Sequence, residues 1–224
     1  MGESTAQEEA ALPERGERGK RAYERIKRCL DIGLGTAVIL AALPLMGVIA
    51  LLIRLDSGGP LLIRQIRVGR GGAGFTMLKF RTMRTGADED LEDALTRDPD
   101  LRLTWEQFQK LLHDPRLTPV GRRLRRYSLD ELPQLWNVLR GEMSLVGPRP
   151  FLPEQREFYG PTFEEYAKVR PGMTGLWQVS GRNRLSFEER VALDTAYLKG
   201  RSLSLDLSIL ARTVWIVARA TGAF

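Results

Sequence analysis

The chain has 224 residues, of which 43% are hydrophobic, and its formal net charge is +6. This length suits one domain with a core plus appendages, and the ordinary hydrophobic share excludes a polytopic transporter. A single cysteine and a single histidine exclude a disulfide framework, a Cys-rich zinc site and chemistry that needs several histidines. The positive charge predicts an anionic partner: nucleic acid, lipid headgroups or phosphorylated substrates.

The N-terminal part combines a polar tail with an apolar run. Residues 1–19 lack apolar periodicity and predict a mobile tail, and residues 20–56 hold a basic segment followed by a charge-free run over 32–53. The run is long enough to cross a bilayer as a helix. Because Pro44 interrupts the run and basic residues flank both ends, we predict a helix that breaks, dips into the membrane and returns to the cytoplasm. A kinked spanning helix is the alternative.

The remaining residues, 57–224, predict one cytoplasmic domain. Alternation over 61–68 and 75–80 around a glycine-rich link indicates a β-hairpin. The acidic segment 84–112 indicates one or two surface helices. Near the end, apolar residues at helical spacing predict an amphipathic helix, either on the membrane surface or packed on the core. These residues are Leu207, Leu210, Val214 and Val217.

A helix start is predicted within 125–136, which reads RRYSLDELPQLW. Pro133 fits the first turn of a helix, so Asp130 lies near the N-cap; alternatively, Ser128 and Glu131 form a capping box. In either register, backbone donors and positive potential at the helix N-terminus suit a phosphate group. The expected buried stripe of this helix is Leu132, Leu135, Trp136 and Leu139.

Two neighbouring carboxylates at that point carry the candidate chemistry. Asp130 and Glu131 can bind Mg²⁺ together, and one of them can attack phosphorus. The alternative is that both residues only cap a helix. Further along, Arg149 stands between two prolines that hold its backbone, which predicts a planar contact to phosphate oxygens; a plain turn is the alternative.

Two further segments add candidate anion contacts. Lys79 and Arg81 end a predicted strand at positions i and i+2, so both side chains face the same way, either toward an anion or simply toward solvent. A glycine-punctuated loop over 171–182 ends in Arg182, and such a loop can approach a nucleotide closely.

Three motifs in this order resemble the bacterial sugar transferase family. They are KFRTM at 79–83, DPRLTPVGRRLRRYSLDELPQLWNVLRGEMSLVGPRP at 114–150 and RPGMTGLWQVSGRN at 170–183. The family comprises monotopic phosphoglycosyl transferases that start exopolysaccharide, O-antigen and glycoprotein glycan assembly, and the resemblance covers residues 20–224. It implies an α+β, membrane-associated monotopic fold with a re-entrant, proline-broken N-terminal helix, amphipathic interfacial helices and a small β-hairpin or sheet around the active site.

The resemblance also implies an activity and a site. A hexose 1-phosphate, galactose or glucose rather than an N-acetylated sugar, passes from a UDP-sugar to undecaprenyl phosphate with release of UMP. A covalent aspartyl phosphosugar is the intermediate, and the step opens exopolysaccharide or O-antigen synthesis. The catalytic pair falls on Asp130 and Glu131: Asp130 is the nucleophile and a ligand of Mg²⁺, for which Mn²⁺ can substitute, and Glu131 assists either as a second metal ligand or in proton transfer. The residues expected to bind substrate phosphates are Lys79, Arg81, Arg125, Arg149 and Arg182.

The implied partners are the UDP-sugar, polyprenol phosphate, membrane lipids and a second copy of the chain in a homodimer, with no nucleic acid. The implied location is the bacterial inner membrane, with the catalytic domain on its cytoplasmic face. Two rival functions fit the charge: a membrane-tethered protein that binds nucleic acid or other anions, and a catalytically silent membrane scaffold. Against the first, a carboxylate pair among the arginines would repel a phosphodiester backbone.

Overall fold

A computed structural model describes residues 13–84, 86–108, 111, 114, 116–181 and 185–219. Helix α1, Pro13–Ser57, opens the described chain and begins inside the segment predicted as a polar tail. It is long and apolar enough to cross a membrane, and only 11% of its most apolar window is buried within the protein. Large apolar side chains therefore face outward along it, including Val38, Leu40, Leu43, Leu45 and Val48.

Helix α1 stays helical through Pro44, so the predicted interruption of the helix at this residue is wrong. Proline removes one backbone donor and crowds the preceding turn, which weakens a helix locally without ending it. The hydrogen bonds on either side of that point keep the two halves in one element. Pro44 therefore lies within one continuous helix.

A β-hairpin follows, as the alternation predicted. Strand β1, Leu62–Val68, pairs antiparallel with strand β2, Gly74–Phe80. The register places Ile63 opposite Lys79 and Arg67 opposite Phe75. Alternate residues of a strand share a face and directly paired residues do too, so Lys79 and Arg67 lie on the same face of the hairpin.

The acidic excursion forms two helices, α2 at Ala87–Arg97 and α3 at Pro99–Phe108, which confirms that prediction. Helix α4, Pro119–Arg126, starts at Thr118, whose hydroxyl accepts a hydrogen bond from the Gly121 nitrogen at 2.9 Å. A Cβ atom on Gly121 would lie 1.9 Å from the Thr82 carbonyl oxygen. Glycine there lets α4 pack directly on the chain that leaves β2.

The rest of the domain is a set of short elements around a second, small sheet. Strand β3, Ser144–Val146, follows helix α5, Gln134–Arg140, and pairs in parallel with strand β4, Gly172–Thr174. The helices that complete the domain are α6 at Phe163–Ala167, α7 at Leu176–Ser180, α8 at Phe187–Gly200 and α9 at Leu203–Ala218. The architecture is therefore mixed, with many helices and two small sheets, in agreement with the predicted α+β class.

Both halves of α1 pack against this domain. Before Pro44, Arg28 donates to the carbonyl oxygens of residues 138 and 139 in α5, at 2.6 and 2.8 Å, and Asp31 accepts from the Ser144 hydroxyl at 3.0 Å. After Pro44, Ile49 and Ile53 are buried against Phe80 of β2 and residues of α4. Helix α1 is thus part of the core of the domain at two separate points.

Helix α9 has two different faces. Its inner face buries Ile209 and Asp206, and Asp206 accepts hydrogen bonds from Lys27 of α1 at 2.8 Å and from Tyr197 of α8 at 2.7 Å. Its outer face exposes large apolar side chains, namely Leu207, Val214 and Trp215. Of the predicted apolar face, Leu207 and Val214 are exposed while Leu210 and Val217 are half-buried, and Arg212 is exposed as well. The position of this helix on a membrane surface therefore stays a prediction.

Candidate active site

Asp130 lies in a tight 3₁₀ turn, Leu129–Glu131, between α4 and α5. Ser128 is the N-cap residue of this turn, as the alternative register predicted, but without the side-chain hydrogen bond that a capping box requires. The register with Asp130 near the N-cap of the main helix is wrong, because α5 begins at Gln134 and Pro133 occupies its N-cap position. Ser128 adopts a left-handed conformation with φ of 55°, which turns the chain sharply after α4. The turn points Asp130 into the domain, so the reading in which this carboxylate merely caps a helix does not hold.

The buried side of α5 also differs from the predicted stripe. Leu135 is buried as expected, but Trp136 is 47% exposed and Asn137 is buried instead. The Asn137 side chain accepts from the Leu78 nitrogen at 3.1 Å and donates to the Thr76 carbonyl oxygen at 2.7 Å, both in β2. These hydrogen bonds rotate α5 and fix it against the strand that carries Lys79. The one sign of this contact in the local sequence is that the polar Asn137 stands between apolar residues.

The carboxylate pair is surrounded by cations. Asp130 is 6% exposed, and Lys79 forms an ion pair with Glu131 at 2.9 Å between Nζ and Oε1. Burial raises the pKa of Asp130, the neighbouring Glu131 charge raises it further, and the charges of Lys79 and Arg125 lower it. Asp130 is therefore a poorly hydrated carboxyl group whose ionised form depends on nearby positive charge.

Arg125 is held beside Asp130 by a second, buried ion pair. Its Nε donates to the Thr82 hydroxyl at 3.1 Å, and its Nη1 lies 4.0 Å from the Asp114 carboxylate. The Asp114 carboxylate accepts two hydrogen bonds from the Arg116 side chain, each at 2.7 Å. Burial lowers the pKa of Arg125, and the charges of Asp130 and Asp114 oppose that effect. Asp114 and Arg116 were not among the predicted site residues.

Arg81 lies apart from Lys79. It is buried, and its Nη2 donates to the Ser57 hydroxyl at the end of α1, at 2.8 Å. Gly59 packs on the same guanidinium: it has φ of +69°, and a Cβ atom on it would lie 2.4 Å from Arg81 Nη1. Arg81 thus joins α1 to the strand that leads into the site, whereas Lys79 contacts Glu131.

Arg149 is positioned by a buried carboxyl group. Its backbone nitrogen donates to Asp194 in α8 at 3.1 Å, and the Tyr159 hydroxyl donates to the same oxygen at 2.8 Å. Its guanidinium lies over the ring of Trp177, 5.0 Å from the centroid. Burial raises the pKa of Asp194 to about 7. Arg182, the last of the predicted phosphate contacts, lies outside the described residues.

The hairpin connects the two groups of charges. Ile63, Gln65 and Arg67 share the face of β1 that carries Lys79 from the partner strand, and Arg67 donates to Gln65 at 2.6 Å and to the Pro150 carbonyl oxygen at 3.3 Å. Four residues of antiparallel strand extend about 14 Å. This face therefore carries Lys79 beside the carboxylate pair at one end and Arg67 beside the loop that holds Arg149 at the other, with uncharged side chains between them.

An open groove lies elsewhere, between the first turns of α1 and the junction of α8 and α9. It is lined by a mixture of basic, acidic, hydroxyl and apolar side chains, among them Lys20, Glu24, Lys199 and Leu203. None of the carboxylates described above borders it. We therefore place the candidate active site by its chemical groups, at the carboxylate pair.

An exposed apolar helix long enough to span a bilayer and a buried carboxylate beside cations are the two distinctive features of this structure. The chain belongs to the bacterial sugar transferase family, whose model matches residues 22–220. It is similar to the undecaprenyl-phosphate galactose phosphotransferase of Salmonella typhimurium, at 45% identity over 205 residues, or 92% of this chain. The chain spans only 43% of that relative's length.

Two other relatives match over more of their own length. The exopolysaccharide production protein ExoY of Rhizobium meliloti is 43% identical over 198 residues, which is 88% of either chain. The UDP-glucose:undecaprenyl-phosphate glucose-1-phosphate transferase of Caulobacter vibrioides is 43% identical over 201 residues, covering 86% of this chain and 70% of that protein. The family predicted from the three motifs is confirmed.

Proposed function

We propose that this chain transfers a hexose 1-phosphate from a UDP-sugar to a polyprenol phosphate and releases UMP. The observation that carries the proposal is the buried Asp130, flanked by Lys79 and Arg125 and attached through α5 to a membrane helix. Galactose and glucose are the favoured sugars, because the Salmonella and Caulobacter relatives are named for them. By its relation to ExoY, the reaction belongs to exopolysaccharide synthesis.

In the proposed reaction, a carboxylate oxygen of Asp130 attacks the sugar-bearing phosphorus. A bond forms between Asp130 and that phosphorus, and the bond to the bridging oxygen breaks, so UMP leaves with the bridging oxygen. An oxygen of polyprenol phosphate then attacks the same phosphorus and breaks the acyl phosphate bond. The products are a polyprenol diphosphate sugar and the free Asp130 carboxylate.

The surroundings of Asp130 support its role as the nucleophile. Burial removes the water that would otherwise stabilise the carboxylate, and the charges of Lys79 and Arg125 favour its ionised form. The same cations favour the negative charge on the transferring phosphoryl group, and such electrostatic stabilisation is the main contribution that a protein makes to phosphoryl transfer. The ion pair with Lys79 positions Glu131 beside the nucleophile.

The carboxylate pair also fits a bound Mg²⁺. Among the described residues there is no cluster of three or more His, Cys, Asp or Glu side chains, so a cage built from protein alone is not present. Mg²⁺ commonly takes one or two carboxylates together with substrate phosphates and water. Asp130 and Glu131 would supply the carboxylates, and the metal would neutralise charge on the diphosphate; Mn²⁺ would serve as a substitute.

The packing of α1 supports a re-entrant topology. Arg28 and Asp31 before Pro44, and Ile49 and Ile53 after it, contact one domain. The helix between Asp31 and Ile49 rises about 27 Å, which is less than the roughly 30 Å of a bilayer's hydrocarbon core. In the proposed topology, these two points of attachment keep both ends of α1 on the side of the membrane that holds the domain. The basic flanks assign that side to the cytoplasm in a bacterial inner membrane.

The decisive test uses purified protein, Mg²⁺, undecaprenyl phosphate and a panel of UDP-sugars. We expect release of UMP rather than UDP; UDP as the main product would move the chain to the ordinary glycosyltransferases. With UDP-sugar alone, mass spectrometry should find a phosphosugar on the peptide that contains Asp130. Asp130→Asn should abolish both adduct and turnover, while Asp93→Asn, the same change on an exposed side chain of α2, should alter neither. Wild-type turnover by Asp130→Asn would refute the mechanism.

A further inference from the structure

Three arginines lie close together at a distance from the carboxylate pair, two of them over the Trp177 ring and the third beside the loop that carries Arg149. Arg149 and Arg190 lie over the Trp177 ring, 5.0 and 5.3 Å from its centroid, and Arg67 binds the carbonyl oxygen of the residue after Arg149. Arg67 and Arg190 are 8% and 3% exposed. Within the described ranges, the Nε atoms of all three arginines and the Trp177 Nε1 are buried without a hydrogen-bond partner.

The cluster carries more positive charge than its surroundings compensate. No ion pair to a carboxylate is formed by Arg67, Arg149 or Arg190 in the part of the chain that the structure describes. Asp194, which accepts a hydrogen bond from the Arg149 backbone nitrogen, has its pKa raised by burial to about 7, so its negative charge compensates the cluster less than an ordinary carboxylate would. The other acidic groups whose charges reach the cluster are Glu131, Glu154 and Glu189.

The arginines also destabilise one another. Burial, followed by the charge of Arg149, lowers the pKa of both Arg67 and Arg190 to about 10. Both groups remain charged at pH 7, so the domain holds like charges in a poorly hydrated position. Unpaired buried charge is costly unless an anion accepts the free N–H groups, and guanidinium groups match phosphate oxygens in geometry.

We propose that Arg67 and Arg190 complete, with Arg149, a pocket that binds a phosphate group of the substrates. The pocket lies along the hairpin face that starts at Lys79, about 14 Å away by strand length. The inference rests on the proposed function for its ligand: the phosphate belongs either to the nucleotide or to the polyprenol phosphate. Nothing in the sequence motifs pointed to Arg67 or Arg190.

The first experiment measures binding without turnover, by the thermal stabilisation that inorganic pyrophosphate and UMP give to the detergent-solubilised protein. Arg67→Gln and Arg190→Gln should each weaken this binding about tenfold or more, since a charge-assisted contact is lost. Without ligand, both variants should melt close to the wild-type temperature, because relief of the repulsion offsets the lost hydrogen bonds from Arg67 to the Pro150 carbonyl and from Arg190 to the Leu185 carbonyl. Arg156→Gln is the control: Arg156 also lies over an aromatic ring, 4.1 Å from the Phe163 centroid, but is exposed outside the cluster.

The opposite pattern would overturn the proposal. If the glutamine variants melt lower without ligand while pyrophosphate and UMP still stabilise them like wild type, the arginines only support the fold. Arg67→Lys and Arg190→Lys, which retain the charge, answer the same question if a glutamine variant does not fold. The binding result is independent of Asp130 chemistry, so it stands or fails even if no UDP-sugar releases UMP.

A kinetic experiment identifies the source of the phosphate. If the pocket binds the nucleotide, Arg190→Gln should raise the UDP-sugar concentration needed for adduct formation on Asp130. If it binds the lipid phosphate, the same variant should form the adduct normally and require more polyprenol phosphate to discharge it. Normal dependence on both substrates would contradict the proposal.

Discussion

Asp194 should make the stability of this protein fall as the pH rises. Its carboxyl group is fully buried in α8, and burial raises its pKa from an ordinary 3.8 to about 7. Below about pH 4 the group is protonated in both folded and unfolded chains, so its full contribution to stability is present. Between pH 4 and 7 the unfolded chain ionises while the folded chain does not, and this contribution is lost.

The size of the effect follows from the two pKa values. At about 1.4 kcal/mol for each pH unit, the loss amounts to about 4 kcal/mol. Asp194→Asn cannot titrate, and its amide oxygen can still accept from the Arg149 nitrogen and the Tyr159 hydroxyl. The difference in free energy of unfolding, variant minus wild type, should therefore increase by about 4 kcal/mol as the pH rises from 4 to 8.

The assay is urea unfolding of the detergent-solubilised protein, followed by tryptophan fluorescence at several pH values. Asp114→Asn provides a control of opposite sign. Burial raises the pKa of Asp114, but the hydrogen bonds and charge of Arg116 outweigh it and hold the pKa below its ordinary value. That variant should lose most stability at neutral pH and approach wild type in acid. If Asp194→Asn shows the same pH dependence as wild type, the burial argument is refuted.

Three further substitutions test residues that determine how the elements around the site pack. Gly59→Ala should lower the free energy of unfolding by about 1–2 kcal/mol from the left-handed backbone alone, and more from the clash with Arg81, measured by urea unfolding. Asn137→Ala should cost about 3 kcal/mol, because it leaves two backbone groups of β2 unpaired, and should reduce UMP release. Pro44→Ala should leave the topology unchanged, because the contacts of Arg28 and Asp31 before this residue, and of Ile49 and Ile53 after it, hold both ends of α1 to one domain; cysteine labelling should still find positions 20 and 60 on the same side, and labelling of them on opposite sides would contradict this.

The hairpin and the surface helices were predictable because their signals are local. Two segments of alternating apolar and polar residues joined by glycines favour a hairpin over other structures. In α2 and α3, apolar residues recur at helical spacing between acidic ones. The carboxylate pair could also be identified as a candidate site, because two adjacent acidic residues beside arginines and a proline are conspicuous wherever the helix begins. Local patterns of this kind determine which elements form.

The orientation of α5 was not predictable, because its sequence allows two apolar faces. The face with Trp136 fits the apolar spacing, yet the hydrogen bonds of Asn137 to β2 select the other face. Arg67, Arg190 and Asp194 were missed for a related reason. They lie far apart in the chain and meet only after the hairpin, the Arg149 loop and α8 have packed, so neither composition nor spacing marks them.

The hydrogen bonds from Arg28 have a mechanical consequence. This residue of the membrane helix holds the last carbonyl groups of α5, while the turn with Asp130 precedes the other end of α5, about 10 Å away. A short helix transmits displacement as a rigid rod. Changes in bilayer thickness or lateral pressure that tilt α1 should therefore move the nucleophile relative to its cations, and the surrounding lipid would act as a tuning element of the reaction rate.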